Sequence, residues 1–543
     1  MQNQNELTTK TKTKVATRVM RRDMIKKTVI KPLANPVPVE PDVREARDAL
    51  ERPSFVRPMT RQVDFSPNAT VLVAEKIENQ LNSIVVTAPK HLEEVVADEV
   101  AEITGLDRSR MRLATGAVEI DFSQTSRSES SENDLSVEQR HSVSDKLKAA
   151  YQICLLSRTA MRVLWPLAVF NASDEKKLYA GIKKVRWSDH LLPDSRIAVS
   201  FVSLHSQMAH TQYGAQKTKD AICDQLRSIH GVRPSVDLDC PDVRIYVHVK
   251  DDVATVSIDL AGNSLHERGY RVSSGSAPMK ETLAASVLRL AGWPKVANEA
   301  IRLASDESEI KKSSPEGRVL PSKVAFEFYD PMCGTGTLGI EAIEMFLGLA
   351  PGRRRAQFGF ERWLKHDKKL WTEVEQAAVV SSQVVLKRLS QVSFVFSDAD
   401  RKAVHSAREN LGAALRDVLR DVGSSSFSHP NLKFGQRMVV DAAPNVAQGL
   451  MVMNPPYAER LGDEKELETL YELIGDTMKK SFPGWGAYIL TGNLALAKKV
   501  GLKPSRKFPL FNGSIDCRLL KYELYSGTRR IYDGPDEKST ESR

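Results

Sequence analysis

From Ser83 onward, apolar residues recur at two different spacings, and the switches between them mark out the elements. SIVVTA, AVEIDF, RIAVSFVSL and DVRIYVHVKDDVATVSIDL read as strands, whereas PKHLEEVVADEVAEITG and KTKDAICDQLRSIHG place apolar residues at helical intervals, the first ending at Gly105. KLKAAYQICLLSRTAMRVLWPLAVF predicts an amphipathic helix running into a strand. Between AVEIDF and that helix, SQTSRSESSENDLSVEQRHSVSD is polar and aperiodic, which predicts a surface insertion. Short helices and strands in mixed order predict an α+β region ending near Gly262.

The later half has a different rhythm. KETLAASVLRLAGW predicts a helix closed by Gly292, and a polar insertion, SDESEIKKSSPEGRVLPSK, follows. Apolar strands in FEFYD, VSFVFSD, KFGQRMVVDA, GLMVMNPPY and GAYILTGN then alternate with helices such as RKAVHSARENLGAALRDVL and EKELETLYELIGDTMKKSF. This alternation predicts an α/β fold, a doubly wound and mostly parallel sheet whose binding crevice lies at the carboxyl ends of its strands.

Composition narrows the class without changing this picture. With 543 residues, 41% hydrophobic and 27% charged, the chain has room for two to four domains, and general disorder, collagen and coiled coil are excluded. No run of about 18 apolar residues suggests a membrane-spanning helix. The five cysteines are scattered, without CxxC spacing, which argues against a disulfide framework or zinc knuckle and for a reducing compartment. Lys and Arg exceed Asp and Glu by 78 to 69, which favours a polyanionic partner, nucleic acid before membrane. Much of that excess lies between Lys10 and Lys31, before the proline-rich KPLANPVPVEPDV. These residues predict a basic extension that stays disordered or folds on its partner. It lacks the apolar run of a secretory signal; an organelle transit peptide is the alternative.

Four loops carry chemistry. In FEFYDPMCGTGTLGIEA a strand ends at Asp330 and a turn through Pro331, Cys333, Gly334 and Gly336 leads into a helix. Gly334, Gly336 and Gly339 satisfy GxGxxG, a weak dinucleotide fingerprint. A carboxylate before the glycines repels a pyrophosphate but pairs with an ammonium group, as S-adenosylmethionine offers. In VSFVFSDADR, Asp398 is placed to hold a ribose diol and Asp400 to cap the next helix. Asp441 in MVVDAAP closes a further strand and is a candidate for an adenine amino group, a plain strand-end turn being the alternative. Finally, Asn454-Pro455-Pro456-Tyr457 follows a hydrophobic strand. Two prolines stiffen the loop and remove its donors. An Asn side-chain oxygen beside a fixed carbonyl then offers two acceptors to one planar NH2 group, and Tyr457 offers a ring for a nucleobase. Drawing both hydrogens out of conjugation exposes the amine lone pair to a methyl donor.

DPMCGTGTLGIEA, FGFERW, NPPYAERLG, FPGWGAYILTGN and FPLFNGSIDCRLL together resemble the THUMP-containing guanine-N2 methyltransferases of RNA, in particular the bacterial RlmL type acting on 23S ribosomal RNA. LLSRTAMRVLWPLAVF and SLHERGYR resemble the same family's N-terminal half. The resemblance runs from about Ser83 to Tyr525. It implies a ferredoxin-like subdomain plus RNA-gripping THUMP module over 83–262 and a Rossmann-like class I methyltransferase domain over 263–527, between the basic extension over 1–82, which has no counterpart in the match, and a polar tail over 528–543. It also implies S-adenosylmethionine as cofactor without a metal, held by Asp330, Pro331, Cys333, Gly334, Gly336, Asp398 and Asp441. Asn454, Pro455, Pro456 and Tyr457 would hold a flipped guanine of large-subunit ribosomal RNA, before full ribosome assembly and away from membranes. Residue 335 is Thr where the family often has Ser, and FSDADR leaves open whether Asp398 or Asp400 meets the ribose. No second methyltransferase domain is expected, so only the N2 activity is. A tRNA guanine-N2 methyltransferase, a non-catalytic ribosome-assembly factor and a nicotinamide oxidoreductase are the rivals. The expected location is the cytoplasm, or an organelle matrix if the basic segment is a transit peptide.

Overall fold

A computed structural model describes residues 81–525 apart from 124–134, 276–278, 300–301, 303–323, 325, 422–428 and 458–463. The expected basic extension, as far as residue 80, the polar insertion SDESEIKKSSPEGRVLPSK and the polar tail lie outside these residues. Among the described residues no helix is long and apolar enough to cross a membrane.

The first half is built on one eight-stranded sheet. Its strands are β1 (Ser83–Thr87), β2 (Met111–Ala114), β3 (Ala117–Asp121), β4 (Arg162–Asn171), β5 (Arg196–Leu204), β6 (Ser235–Val236), β7 (Val243–Lys250) and β8 (Val253–Asp259). They lie in the order β2-β3-β1-β4-β8-β7-β5-β6. The long strand β4 pairs antiparallel with β1 on one side and β8 on the other, so both portions of the α+β half share a continuous ladder. Helices α1 (Glu93–Thr104), α2 (Leu135–Leu156), α3 (Glu175–Lys184) and α4 (Thr211–His230) alternate with these strands. Asp174 accepts from the Lys177 N–H to cap α3, and Gly105 and Gly231, both at positive φ, close α1 and α4. The expected polar insertion is shorter than the sequence suggested, because α2 already begins at Leu135 inside the Ser-rich stretch. Helix propagation from the amphipathic stretch downstream carries those polar residues into the helix.

The second half carries a seven-stranded sheet in the order β11-β10-β9-β12-β13-β15-β14. Its strands are β9 (Phe326–Asp330), β10 (Val392–Asp398), β11 (Leu432–Gln436), β12 (Gly449–Met453), β13 (Gly486–Thr491), β14 (Arg506–Asn512) and β15 (Ile515–Glu523). Five strands are parallel, and β15 returns antiparallel between β13 and β14. The accompanying helices are α5 (Glu281–Leu290), α6 (Thr337–Leu347), α7 (Lys368–Ala377), α8 (Ser382–Leu389), α9 (Arg401–Ala414), α10 (Arg416–Asp421), α11 (Glu464–Ser481) and α12 (Leu494–Lys499). Alternate strand residues enter different cores: Phe328, Phe394, Phe396 and Val452 one face, Tyr329, Val395, Met451 and Ile489 the other. Both faces are covered, which is why these strands read as continuous apolar runs.

The halves exchange residues. Phe358, Phe360, Trp363 and Trp371 pack into the core of the first sheet, and Leu92 from the first half is fully buried in the core of the second. Arg158, just beyond α2, donates to the carbonyls of Glu344 and Leu349 at the far end of α6 and faces Glu341 at 3.5 Å. Burial raises the Glu341 carboxyl. Burial also opposes ionisation of Glu344, yet the guanidiniums of Arg354, Arg353 and Arg158 hold it below the usual range.

Candidate active site

The chain leaves β9 toward β10 and β11 on one side and later returns through β12 and β13 on the other, so the order reverses between β9 and β12. Crevices in open α/β sheets form at such a reversal, outside the carboxyl ends of the strands. The register pairs Met451 with Tyr329, which sets the ends of β9 and β12 side by side. Asp330 ends β9, and Asn454 directly follows β12.

Asp330 is buried. One of its oxygens accepts from the Met332 N–H at 3.3 Å; the other has no partner among the described residues. Burial pushes its carboxyl well above the usual carboxylate range, with the nearby Asp398 adding to the shift. The Asn454 side-chain oxygen is likewise buried and unpaired among the described residues. Unpaired buried acceptors cost about 1–3 kcal/mol each, so two at neighbouring strand ends mark a place built for donors.

The glycine loop is shaped from beneath. Cys333 N–H donates to the Ser397 carbonyl and Gly334 N–H to Asp398, both bridging β9 to β10. Gly334, at φ +52°, has open space where a Cβ would stand. Gly336, at φ +85°, leads into α6; a Cβ there would come within 2.9 Å of Ala407, so only glycine fits. Pro331 and Cys333 are buried in the turn, and burial raises the Cys333 thiol well above its ordinary pKa.

Asp398 and Asp400 divide as their positions suggest. Asp400 caps α9 through the Lys402 N–H, whereas Asp398 ends β10 and accepts from both Gly334 and Asp400 N–H. Burial raises Asp398, those hydrogen bonds opposing the shift. Asp441 departs from the expectation. β11 stops at Gln436, and Asp441 sits exposed in a 3-10 turn, Val439–Asp441, rather than at the end of a strand. The run KFGQRMVVDA is broken by polar Gln436 and Arg437, where the chain turns away from the sheet.

In the proline loop, Pro455 is buried and Pro456 and Tyr457 half-buried. The Tyr457 ring lies over Gly492, where a Cβ would approach it to 2.9 Å. Its hydroxyl accepts from Asn512 Nδ2 at 2.8 Å, and burial raises its pKa, so it remains a neutral phenol.

Two residues that local pattern did not single out hold the glycine loop from above. Arg271 donates to the hydroxyls of Thr335 and Thr337 at 3.2 and 3.1 Å and pairs with Glu281 at 2.7 Å. Asn410, on α9, accepts from Val272 and Ser273 N–H and donates to the Ser273 and Thr335 carbonyls. Its place between Ala407 and Ala414 on the apolar stripe of α9 is the signal that marks it as buried.

Residues 322–521 match the family described as RMKL-like, methyltransferase domain, and residues 172–259 match the THUMP domain. Curated relatives named ribosomal RNA large subunit methyltransferase K/L include those of Syntrophotalea carbinolica, 36% identical over 81% of this chain and 53% of the relative, and of Methylococcus capsulatus, 39% identical over 70% and 46%. The chain thus spans about half the length of the curated relatives it matches. Among solved structures, SMU.472 complexed with SAH aligns with a TM-score of 0.60 at 26% identity, over 82% of this chain and 99% of that one. A predicted N6-adenine-specific DNA methylase from Listeria monocytogenes aligns at 0.59 and 25% identity, over 81% and 96%. These likenesses establish the class I methyltransferase fold for the second sheet.

Proposed function

We propose that the protein transfers the methyl group of S-adenosylmethionine to the exocyclic N2 of a guanine in large-subunit ribosomal RNA. The observation that carries the proposal is the pair of unpaired buried acceptors, Asp330 Oδ2 and Asn454 Oδ1, at adjacent strand ends of a class I fold. The names of the curated relatives favour ribosomal RNA, and the SAH complex of SMU.472 favours this donor.

The donor, when bound, supplies a methyl group activated by a positively charged sulfur. Asp330 would accept from its ammonium group, which returns the buried carboxyl to its charged form. Pro331, Cys333, Gly334 and Gly336 would let it approach the backbone, and Asp398 would take the ribose hydroxyls with the lone pairs that Gly334 and Asp400 leave over. The exposed Asp441 would reach the adenine. Asp398 ends β10 and is tied to the glycine loop through the Gly334 N–H, whereas Asp400 sits a turn further on as the cap of α9, which favours Asp398 as the ribose acid. The same Asp330 carboxylate repels a pyrophosphate, which disfavours the nicotinamide alternative.

A guanine inside a helix cannot bring N2 to this crevice, so the base must be flipped. Asn454 Oδ1 and the Asn454 carbonyl, fixed by Pro455, would accept the two amine hydrogens, and Tyr457 would stack on the ring. A neutral Tyr457 takes no proton, and none need leave before transfer: the N2 proton becomes acidic only on alkylation and would then pass to solvent. Orientation supplies most of the acceleration. The residues of 83–262 would grip the RNA, and the activity belongs where ribosomes are made, in the cytoplasm or an organelle matrix.

Asn454→Ala tests the assignment. Transfer should fall about 100-fold or more, as when one positioned hydrogen-bonding group is removed from an active site, while cofactor affinity stays within a factor of about two. Equal losses of rate and cofactor affinity in parallel titrations would remove Asn454 from the amine and place it on the cofactor.

A further inference from the structure

The β14–β15 hairpin touches both the proline loop and the first half of the chain. Phe511 and Asn512 are consecutive in β14, so their side chains leave opposite faces of the strand. On one face Asn512 Nδ2 donates to the Tyr457 hydroxyl at 2.8 Å, and the Cys517 thiol of β15 reaches the same oxygen at 3.7 Å. Ile515 of β15 and the Tyr457 ring together fill the space in front of Gly492. Tyr457 is therefore fixed at its ring by Gly492 and at its hydroxyl by the hairpin.

On the other face Phe511 stacks on His91, with ring centroids 5.6 Å apart and planes 20° from parallel, and Lys90 Nζ lies 4.9 Å from the Phe511 ring centroid. Lys90 and His91 form the corner between β1 and α1, and both side chains are exposed. His91 holds φ +69°, a left-handed conformation uncommon for a residue with a Cβ. The next residue, Leu92, is fully buried in the methyltransferase core and over-determines the corner. Strain retained in this way tends to mark a contact whose geometry matters. A cation and an exposed ring side by side suit a phosphate and an unpaired base of single-stranded RNA.

Resting on the function proposed above, we propose that Asn512 is a positioning residue for Tyr457, and that its hairpin links this tyrosine to an RNA-docking corner formed by Lys90, His91 and Phe511. The nucleotide next to the flipped guanine would seat on that corner, while Asn512 holds Tyr457 at the angle at which its ring meets the base.

A double-mutant cycle on the full chain, with methyl transfer to deproteinised 23S RNA as readout, tests both ends. Asn512→Ala is expected to lower kcat about tenfold with SAH affinity unchanged, and Asn512→Asp, whose carboxylate can accept from the Tyr457 hydroxyl, to recover most of it. In a Tyr457→Phe background, which lacks the hydroxyl, Asn512→Ala should cost less than twofold. Phe511→Ala and Lys90→Ala should raise KM for RNA about fivefold with kcat nearly unchanged. An Asn512→Ala cost that is the same in both backgrounds, or no rescue by Asp, overturns the positioning role. An unchanged KM in the corner variants overturns the docking surface. Wild-type protein that methylates no guanine in RNA overturns the functional proposal and this inference together; active wild type with unaffected variants overturns the inference alone.

Discussion

Asn410 offers a quantitative test of how the glycine loop is held. Its side chain is fully buried and uses every donor and acceptor an amide has: Val272 N–H at 2.9 Å and Ser273 N–H at 3.0 Å on the oxygen, Ser273 and Thr335 carbonyls at 2.9 and 3.0 Å on the nitrogen. Asn410→Ala removes all four bonds at once. Val272 is exposed, so water can recover part of the loss at the Val272 and Ser273 N–H groups. The Thr335 carbonyl and one group of the 272–273 segment are then left unsatisfied, at about 1–3 kcal/mol each, or roughly 2–6 kcal/mol together. If about half of that appears as disorder of the Thr335 loop, SAH affinity falls about fivefold to 150-fold, since about 1.4 kcal/mol is tenfold. Calorimetric titration of SAH into both proteins reads this directly, with urea unfolding reporting the total. Asn410→Asp retains the two bonds accepted from the Val272 and Ser273 N–H groups and should lose less. A folded Asn410→Ala protein with wild-type SAH affinity would refute the claim that this amide shapes the cofactor loop.

Two further outcomes follow from buried charge. Arg158→Ala strips Glu341 and Glu344 of a buried partner and frees the carbonyls at the end of α6, and should destabilise the chain by about 3–5 kcal/mol in chemical denaturation. Wild-type stability in that variant would show that the halves are held without this network. His190, stacked on Trp363 and accepting from its indole N–H at 3.1 Å, is pushed down to about 4 by burial and the nearby Lys365. Between its ordinary 6.5 and about 4 the unfolded chain binds a proton that the folded chain does not, so stability is full above that window and is lost as pH falls through it. His190→Gln should show a shallower loss over the same range; an identical pH profile would exclude this histidine as the cause.

Much of this architecture is legible in the residues. Continuous apolar runs such as VSFVFSD announce strands buried on both faces, and Asp330 and Asn454 follow such runs directly, so their places at strand ends could be read from periodicity. Asp441 could not, because MVV is apolar enough to extend a strand while the polar QR pair before it turns the chain. The early start of α2 is hidden by serines, which report local preference but not propagation from the amphipathic stretch downstream. Contacts distant in sequence were also beyond reach. Nothing near Asn512 indicates Tyr457, 55 positions earlier, and nothing near His91 indicates Phe511. Leu92 reads as an ordinary core residue of its own helix, yet it is buried in the core of the other half.

The central claim is that the Asp330–Asn454 crevice methylates an exocyclic amine of guanine. Incubating the protein with deuterium-labelled methyl donor and unmodified 23S RNA, then digesting to nucleosides for mass spectrometry, tests it most directly. The account predicts label in N2-methylguanosine alone, at one site, and none with Asn454→Ala. Label in methyladenosine, on a guanine ring nitrogen or only on tRNA, or no label at all, would contradict it.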